Sequence, residues 1–332
     1  MKAIRIFVLL FLLSLGGTML FLRMGAVPDD AERMRIDVES GESVRAIAGS
    51  LRGADLIGSS HVFRLYVRWK ELDRSFKPGV YLIPMGASYE EIARILTGGE
   101  GEEMAVTIPE GFTIAQMDEL LARIDLLEPG ALSACAKTCD FSAFEFLPAG
   151  DDRMPHGRLE GYLFPDTYFV NAAEFDVQKF HERLLRTFEE RVASGLQDDL
   201  AVSGRDLSDV ITMASLIERE TVTSEERPIV SGILWKRLDA GRALDVDATV
   251  RYILEKPTNA LTRSDLEFDS PYNTRRIAGF PPGPIANPGL ASIKAALHPE
   301  DSPYWYYLHD NEGKIHYAET NDEHNVNKVR YL

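Results

Sequence analysis

The chain has 332 residues, of which 45% are hydrophobic, so it is long enough for two domains and is not generally disordered. Its formal net charge of -16 argues against a nucleic-acid groove, because affinity for phosphates comes from Lys and Arg. We therefore expect a folded protein that does not bind nucleic acid.

The N-terminus has two basic residues, Lys2 and Arg5, ahead of an apolar run from Ile6 to Leu22. A run of about 17 residues is at the lower end of what crosses a bilayer as a helix. A cleaved signal peptide shares the basic start and the apolar middle, but this run is long for one and no good cleavage site follows it. The pattern favours a retained single-pass anchor over residues 1–28, with the remainder of the chain exported.

Three stretches beyond the anchor share one design, in which an apolar extended segment leads to a Gly, then a Ser or Thr two residues later, then apolar residues at helical spacing. They read IDVESGESVRAIAGSL, YLIPMGASYEEIARILTGG and VTIPEGFTIAQMDELLARI. Each predicts strand, turn and helix. The turn glycines and N-caps are Gly41 with Ser43, Gly86 with Ser88, and Gly111 with Thr113.

Another amphipathic segment, SSHVFRLYVRWKE, lies between the first two stretches and predicts the order strand, helix, helix, strand. That order resembles a LysM-like module over residues 29–103, which would either contact cell-wall glycan or act as a rigid spacer. The stretch TGGEGEEM, residues 97–104, is the predicted linker, because its glycines and glutamates neither pack nor propagate a helix well. Residues 104–332 would then form a mixed α+β catalytic domain.

The two cysteines, Cys135 and Cys139, are four residues apart in SACAKTCD. In an oxidising compartment they could close a small disulfide loop, although this spacing is awkward on a regular helix. No further ligands with suitable spacing suggest a metal site. The sequence leaves open whether they form a local disulfide or remain two semi-buried thiols.

The segment MASLIERETV predicts a largely buried helix that carries two carboxylates, Glu218 and Glu220. On a helical wheel Thr212, Ser215 and Arg219 share one polar face, and neither carboxylate lies on it. At least one is therefore expected to be partly desolvated, which raises a carboxyl pKa and suits general acid catalysis. Ordinary salt bridges with Arg219 or Arg227 are the competing interpretation.

Several long motifs occur in one order and resemble the YceG-like endolytic murein transglycosylases, the MltG family. They are EGYLFPDTY, ASLIERET with SEERPIVSGILWKRL, LDVDATVRY, SPYNTRRIAGFPPGPIANPGLASIKAALHP and the terminal YWYYLHDNEGKIHYAETNDEHN. The resemblance runs from about Arg35 to the C-terminus. It implies an enzyme at the bacterial inner membrane, with its catalytic part in the periplasm or extracytoplasmic space.

The resemblance also implies a reaction and a catalytic residue. Family members cut nascent glycan between N-acetylmuramic acid and N-acetylglucosamine, and leave a 1,6-anhydro-muramyl end. The first glutamate of the signature, Glu218, maps to the catalytic acid, while Glu220 would orient or tune the site. Because the C6 hydroxyl of the sugar is the nucleophile, one carboxyl suffices in principle, with help from proximity.

Predicted substrate contacts are polar or aromatic residues within the matching segments: Glu220, Tyr162, Asp166, Asp247, Tyr272, Asn273, Thr274 and Asn287. For Tyr162, a place in the core is the alternative. For Asp166, Asp247, Tyr272, Asn273, Thr274 and Asn287, the alternative is a role in bracing loops. Asp245 and Ala248 depart from the residues usual in the family. No cofactor or metal is expected, and peptidoglycan synthases are the expected protein partners. A hydrolytic muramidase and a non-catalytic peptidoglycan-binding scaffold remain as alternatives.

Overall fold

The structure is a computed structural model that describes residues 33–39, 41–98, 103–172, 175–256 and 261–332. The predicted anchor lies outside these residues, as does the centre of the predicted linker. Within the described ranges, no helix has both the length and the apolarity needed to cross a membrane. The chain is a mixed α+β protein, as predicted, with helices and small two-stranded sheets.

The described chain divides into two compact units. The first extends to Val106 and takes in Phe169–Phe175, and the second comprises Thr107–Tyr168 and Asp176–Leu332. The elements of the first unit are β1 (Arg33–Val38), α1 (Val44–Gly53), α2 (Ser60–Trp69), β2 (Gly79–Pro84) and α3 (Tyr89–Gly98). Strands β1 and β2 pair antiparallel, with Ile36 opposite Tyr81. Buried Phe63, Ile83 and Ile92 contribute to a common apolar core.

Local sequence signals set the helix starts of this unit. Gly41 and Gly86 adopt φ values of 79° and 88°, the left-handed conformation that glycine tolerates. The Ser43 hydroxyl accepts a hydrogen bond from the Ala46 amide, and Ser88 caps α3 through the Glu91 amide. The predicted order strand, helix, helix, strand is therefore confirmed, whereas the LysM-like character of the module stays a prediction.

Strands β3 and β4 pair with each other, and the boundary between the units falls within each strand. The second unit also contains the remaining helices and the last hairpin. These elements are β3 (Glu103–Thr107), α4 (Ile114–Arg123), α5 (Ala131–Thr138), β4 (Thr167–Asn171), α6 (Val177–Phe188), α7 (Gln197–Ser203), α8 (Leu207–Glu220), α9 (Glu226–Asp239), α10 (Asp247–Ile253), α11 (Arg263–Leu266), α12 (Leu290–Leu297), β5 (Tyr306–His309), β6 (Ile315–Ala318) and α13 (Asn321–Tyr331). A π-helical turn, Glu189–Ala193, extends α6.

Helix α8 is buried on all sides from Val210 to Ile217 and packs against α9 and α12. The predicted polar face is wrong for two of its three members, because Thr212 and Ser215 are buried. Their hydroxyls instead donate to the carbonyls of Ser208 and Thr212 at 2.8 and 2.7 Å. Intrahelical hydrogen bonds of this kind let hydroxyls enter an apolar core without loss of a partner.

Residues next to α8 set the start of the following helix. Ser224 does not cap the following helix, which begins at Glu226. Glu226 instead binds the backbone that leads into that helix, because its Oε2 accepts hydrogen bonds from the amides of Val222 and Thr223 at 2.9 and 3.3 Å. The proline-rich stretch GFPPGPIANPG is irregular and leads directly into α12.

Cys135 and Cys139 form a disulfide, which decides between the two alternatives left open. The bridge is possible because α5 ends at Thr138 and Cys139 is extended, with φ -75° and ψ 155°. Their Cα atoms are 4.8 Å apart, a separation typical of disulfides.

Candidate active site

The Glu218 carboxyl lies at the C-terminal end of α8, where the helix emerges from the core. Its side chain is only 9% exposed, and Oε1 is 3.8 Å from the Nη2 of Arg227. Its Oε2 accepts a hydrogen bond of 3.1 Å from the amide of Gly289, the N-cap of α12. The ends of α8, α9 and α12 therefore meet at one carboxyl, which has a partner at each oxygen.

Two glycines allow close approach to this carboxyl. Gly111 has φ +75°, and a Cβ there would lie 3.4 Å from the Cγ of Glu218. A Cβ on Gly289 would occupy the space in which the Glu110 carboxyl lies. A side chain at position 289 would therefore displace the Glu110 carboxyl from beside the amide that binds Glu218.

Glu110 is a second carboxyl of the site, and the sequence reasoning missed it. The residue is exposed, whereas Glu218 is almost buried. Partial burial raises the pKa of Glu110, the negative charge of Glu218 raises it further, and Arg227 opposes these effects. In the sequence Glu110 belongs to the predicted turn of VTIPEGFT, where a charged residue is expected simply to be solvated.

The turn that carries Glu110 is fastened to the loop that carries Gly289. The Gly111 amide donates to the Asn287 carbonyl at 2.8 Å, and the Asn287 amide donates to the Phe112 carbonyl at 2.9 Å. The Asn287 side chain also donates to Phe112 O and to Glu160, and accepts from the Leu163 amide. Reciprocal hydrogen bonds therefore fix the turn that carries Glu110 to the loop whose Gly289 amide binds Glu218.

Glu160 is a buried carboxyl beneath the same loop. It accepts hydrogen bonds from the Ile114 amide at 3.1 Å, from Asn287 Nδ2 at 2.9 Å and from the Tyr252 hydroxyl at 3.3 Å. Burial raises the pKa of Glu160 to about 8, even though these donors lower it. With 3% exposure it is a brace that joins α4, α10 and the Asn287 loop.

Arg227 and Arg219 supply positive charge near Glu218. Arg227 lies in the first turn of α9, and its Nε is buried without a hydrogen-bond acceptor in the described part of the chain. Arg219 is exposed and donates to the Gly111 carbonyl at 3.4 Å. It also lines a cavity of about 210 Å³ with residues that include Gln116, Glu119, His156, Arg251 and Glu255.

Glu220, predicted to bind substrate, is the last residue of α8 and lies two positions beyond Glu218. Burial raises the pKa of Glu220 to about 7, and a 2.9 Å hydrogen bond donated by the Tyr307 hydroxyl partly opposes this. The expectation that at least one of the two helix carboxylates has a raised pKa is therefore confirmed for Glu220. Its observed partner ties α8 to β5, and its contact with substrate stays a prediction.

The two tyrosines predicted to contact sugar are core residues in this structure. Tyr162 and Tyr272 are each 1% exposed. The Tyr162 ring packs 5.2 Å from Phe188, and the Tyr272 ring packs 5.3 Å from Tyr252. The alternative given for Tyr162, a place in the core, describes its observed contacts, and Tyr272 is buried in the same way.

The remaining predicted contacts brace loops. Asn273 and Thr274 are fully buried. The Asn273 side chain donates to the Phe268 carbonyl, and the Thr274 hydroxyl accepts from the Val246 amide. Asp247 pairs with Arg275 at 2.7 Å, and Asp166 pairs with Arg191 at 3.6 Å. None of these side chains is brought to the Glu218 carboxyl by a described contact, so their role in substrate binding stays a prediction.

Comparison with known proteins decides the family. A model described as the YceG-like family matches residues 36–330. The chain belongs to the YceG-like family. The match covers α8, the Asn287–Gly289 loop and the Glu110 turn, so the site described above lies entirely within the matched residues.

Relatives of this YceG-like chain include proteins named endolytic murein transglycosylase. One from Bacillus subtilis is 31% identical over 96% of this chain and 91% of its own length. Another, from Streptococcus pneumoniae, is 26% identical over 98% of this chain and 64% of its own length. The crystal structure of a YceG-like protein from Listeria monocytogenes has 28% identity and a TM-score of 0.63, covering 90% of this chain and 99% of that one.

Proposed function

We propose that this YceG-like chain is an endolytic lytic transglycosylase of peptidoglycan. Its reaction would cleave the bond between N-acetylmuramic acid and N-acetylglucosamine within nascent strands, and so end glycan elongation. Two relatives named endolytic murein transglycosylase align with almost the whole chain, which supports this activity. The observation that carries the proposal is the Glu218 carboxyl, 9% exposed and held by Gly289 and Arg227.

Glu218 is the general acid of this proposal. Protonation of the bridging oxygen lets the glycosidic bond break, and the muramyl C6 hydroxyl then closes on C1 in place of water. The fixed position of the carboxyl matters because an acid must meet the oxygen within hydrogen-bond distance as the bond breaks. The rigid end of α8 and the Gly289 amide supply that position.

Replacement of Glu218 by Gln tests this assignment. The amide keeps the shape of the carboxyl but cannot donate an acidic proton, so we expect the cleavage rate on purified glycan strands to fall about 10²- to 10⁴-fold. Glu145→Gln, at an exposed position, is the matched control and should cleave at the wild-type rate. A folded Glu218→Gln protein that cleaves normally would contradict the proposal.

The hydrolytic alternative is favoured by one specific observation, the second carboxyl Glu110 beside Glu218. Enzymes that use water to cleave glycosides generally need two carboxyl groups. Mass spectrometry of the products separates the two reactions, because transglycosylation leaves anhydro ends and hydrolysis leaves reducing ends heavier by one water. We expect anhydro ends.

We further propose that the apolar run Ile6–Leu22 anchors the enzyme in the cytoplasmic membrane with its catalytic part outside the cytoplasm, where peptidoglycan synthases are candidate partners. The first unit would act as a LysM-like contact to glycan. Trp69 supports this role, since it is 68% exposed on α2 beside exposed Leu65 and offers a flat surface to a sugar ring.

A further inference from the structure

The two carboxyls beside Gly289 differ in their exposure to solvent. Glu218 is almost buried, with one oxygen bonded to the Gly289 amide and the other facing Arg227. Glu110 is exposed, and its carboxyl lies where a Cβ on the same glycine would be. A sugar entering from solvent would therefore meet Glu110 as well as Glu218.

We propose that Glu110 is a second catalytic carboxyl, which takes the proton of the muramyl C6 hydroxyl while Glu218 gives its proton to the leaving oxygen. This inference rests on the proposed transglycosylase function. The C1–O4 bond breaks and the C1–O6 bond forms. Glu218 loses one proton and Glu110 gains one, and solvent exchange then returns both carboxyls to their starting states, so no other reactant is needed.

The stereochemistry of an anhydro product is compatible with two neighbouring carboxyls in these roles. In a 1,6-anhydro sugar the new C1–O6 bond points to the same face of the ring as the β-glycosidic bond that it replaces. The acid and the base must therefore stand on one side of the sugar, instead of on opposite faces as in inverting hydrolases. Two carboxyls that both lie beside one glycine can satisfy this requirement.

The charge on Glu218 affects the basicity of Glu110. The negative charge of Glu218 raises the pKa of Glu110, as does partial burial, whereas Arg227 lowers it. When Glu218 gives up its proton, its new charge makes Glu110 a better base at the moment when the C6 hydroxyl must be deprotonated. The first transfer thus promotes the second.

Glu110→Gln tests the inference, because Gln retains the size of the side chain against Gly289 but cannot accept the proton. On purified glycan strands we expect the rate to fall at least about 10²-fold, with anhydro ends still the product. The wild-type rate should decline at low pH as Glu110 becomes protonated, and this decline should vanish in the Gln variant. Added formate should restore activity to Glu110→Ala but not to Glu218→Gln.

The controls separate this inference from the proposed function. Glu145→Gln should behave as wild type. Full activity of Glu110→Gln beside an inactive Glu218→Gln would overturn the role of Glu110 and leave the transglycosylase assignment intact. A loss of rate with an unchanged pH profile and no rescue by formate would show a purely structural role, and would equally overturn it. Full activity of Glu218→Gln would instead refute the proposed acid.

Discussion

Gly289 is the residue through which the two carboxyls of the site are related. Its amide binds Glu218 at 3.1 Å, and the absence of a side chain leaves room for Glu110. Its φ of -72° is ordinary, so backbone strain does not require glycine there. The requirement comes from the space that the Glu110 carboxyl occupies.

Gly289→Ala should therefore reduce activity far more than stability. The added Cβ meets the end of the flexible Glu110 side chain, which can rotate away at little cost. We expect cleavage to fall about tenfold or more if Glu110 acts as proposed, with less than about 1 kcal/mol change in the free energy of unfolding. Glycan cleavage and urea denaturation measure the two effects. Wild-type activity would argue against a precise position for Glu110.

At the scale of elements, helices α8, α9 and α12 hold the site by close packing. Helix α9 approaches the backbone that follows α12, since the Glu300 amide donates to the Pro228 carbonyl at 2.9 Å. One turn further along α9, Gly232 faces the Glu300 carbonyl so closely that a Cβ would overlap it. Unlike a carboxyl at the end of a flexible side chain, this carbonyl belongs to the backbone.

Gly232→Ala should accordingly destabilise the fold by about 1–3 kcal/mol, the usual cost of overpacking, because the helix or the chain at Glu300 must move. Urea denaturation followed by circular dichroism measures this change. Gly49→Ala, at an exposed position of α1 with open space around it, is the control. It should be neutral or stabilising by up to about 1 kcal/mol, because Ala favours helix over Gly. Equal effects at the two positions would contradict the packing argument.

At the scale of the second unit, Glu160 connects segments from three parts of the chain. Its carboxyl contacts the start of α4 through Ile114, the α10 residue Tyr252 and the loop residue Asn287. Burial raises the pKa of Glu160 to about 8, so the folded protein binds this proton at pH values where an unfolded chain has released it. The stability of the unit should depend on pH for this reason.

The sign follows from the proton balance. Between about pH 5 and pH 8 the folded state binds more protons than the unfolded state at Glu160, so the free energy of unfolding falls as pH rises. Glu160→Gln keeps the shape of the side chain but cannot titrate. Over this pH range its free energy of unfolding should therefore fall by about 3 kcal/mol less than that of the wild-type protein. Urea denaturation at several pH values tests this. Glu220 acts in the same direction, so some dependence should remain. Equal slopes in both proteins would contradict a protonated Glu160.

Local signals predicted local structure. Gly41, Gly86 and Gly111 have the positive φ values expected of turn glycines, and the predicted N-cap Thr113 forms a capping box with Gln116. These features depend on residues three or four apart, so a sequence displays them directly. The predicted polar face of α8 was wrong because α9 and α12 cover Thr212 and Ser215, and a helical wheel contains no neighbours.

By itself, the sequence determined the α+β class, the turns and caps, and the family, since these depend on short-range patterns and on motif order. Only the tertiary structure decided which polar residues meet. Glu110 and Gly289 reach Glu218 from segments about a hundred and about seventy residues away, whereas Tyr162 and Tyr272, inside family motifs, became core. The physical reason is that tertiary packing determines whether a side chain contacts solvent, a polar partner or the apolar core. These contacts depend on residues that are remote along the chain.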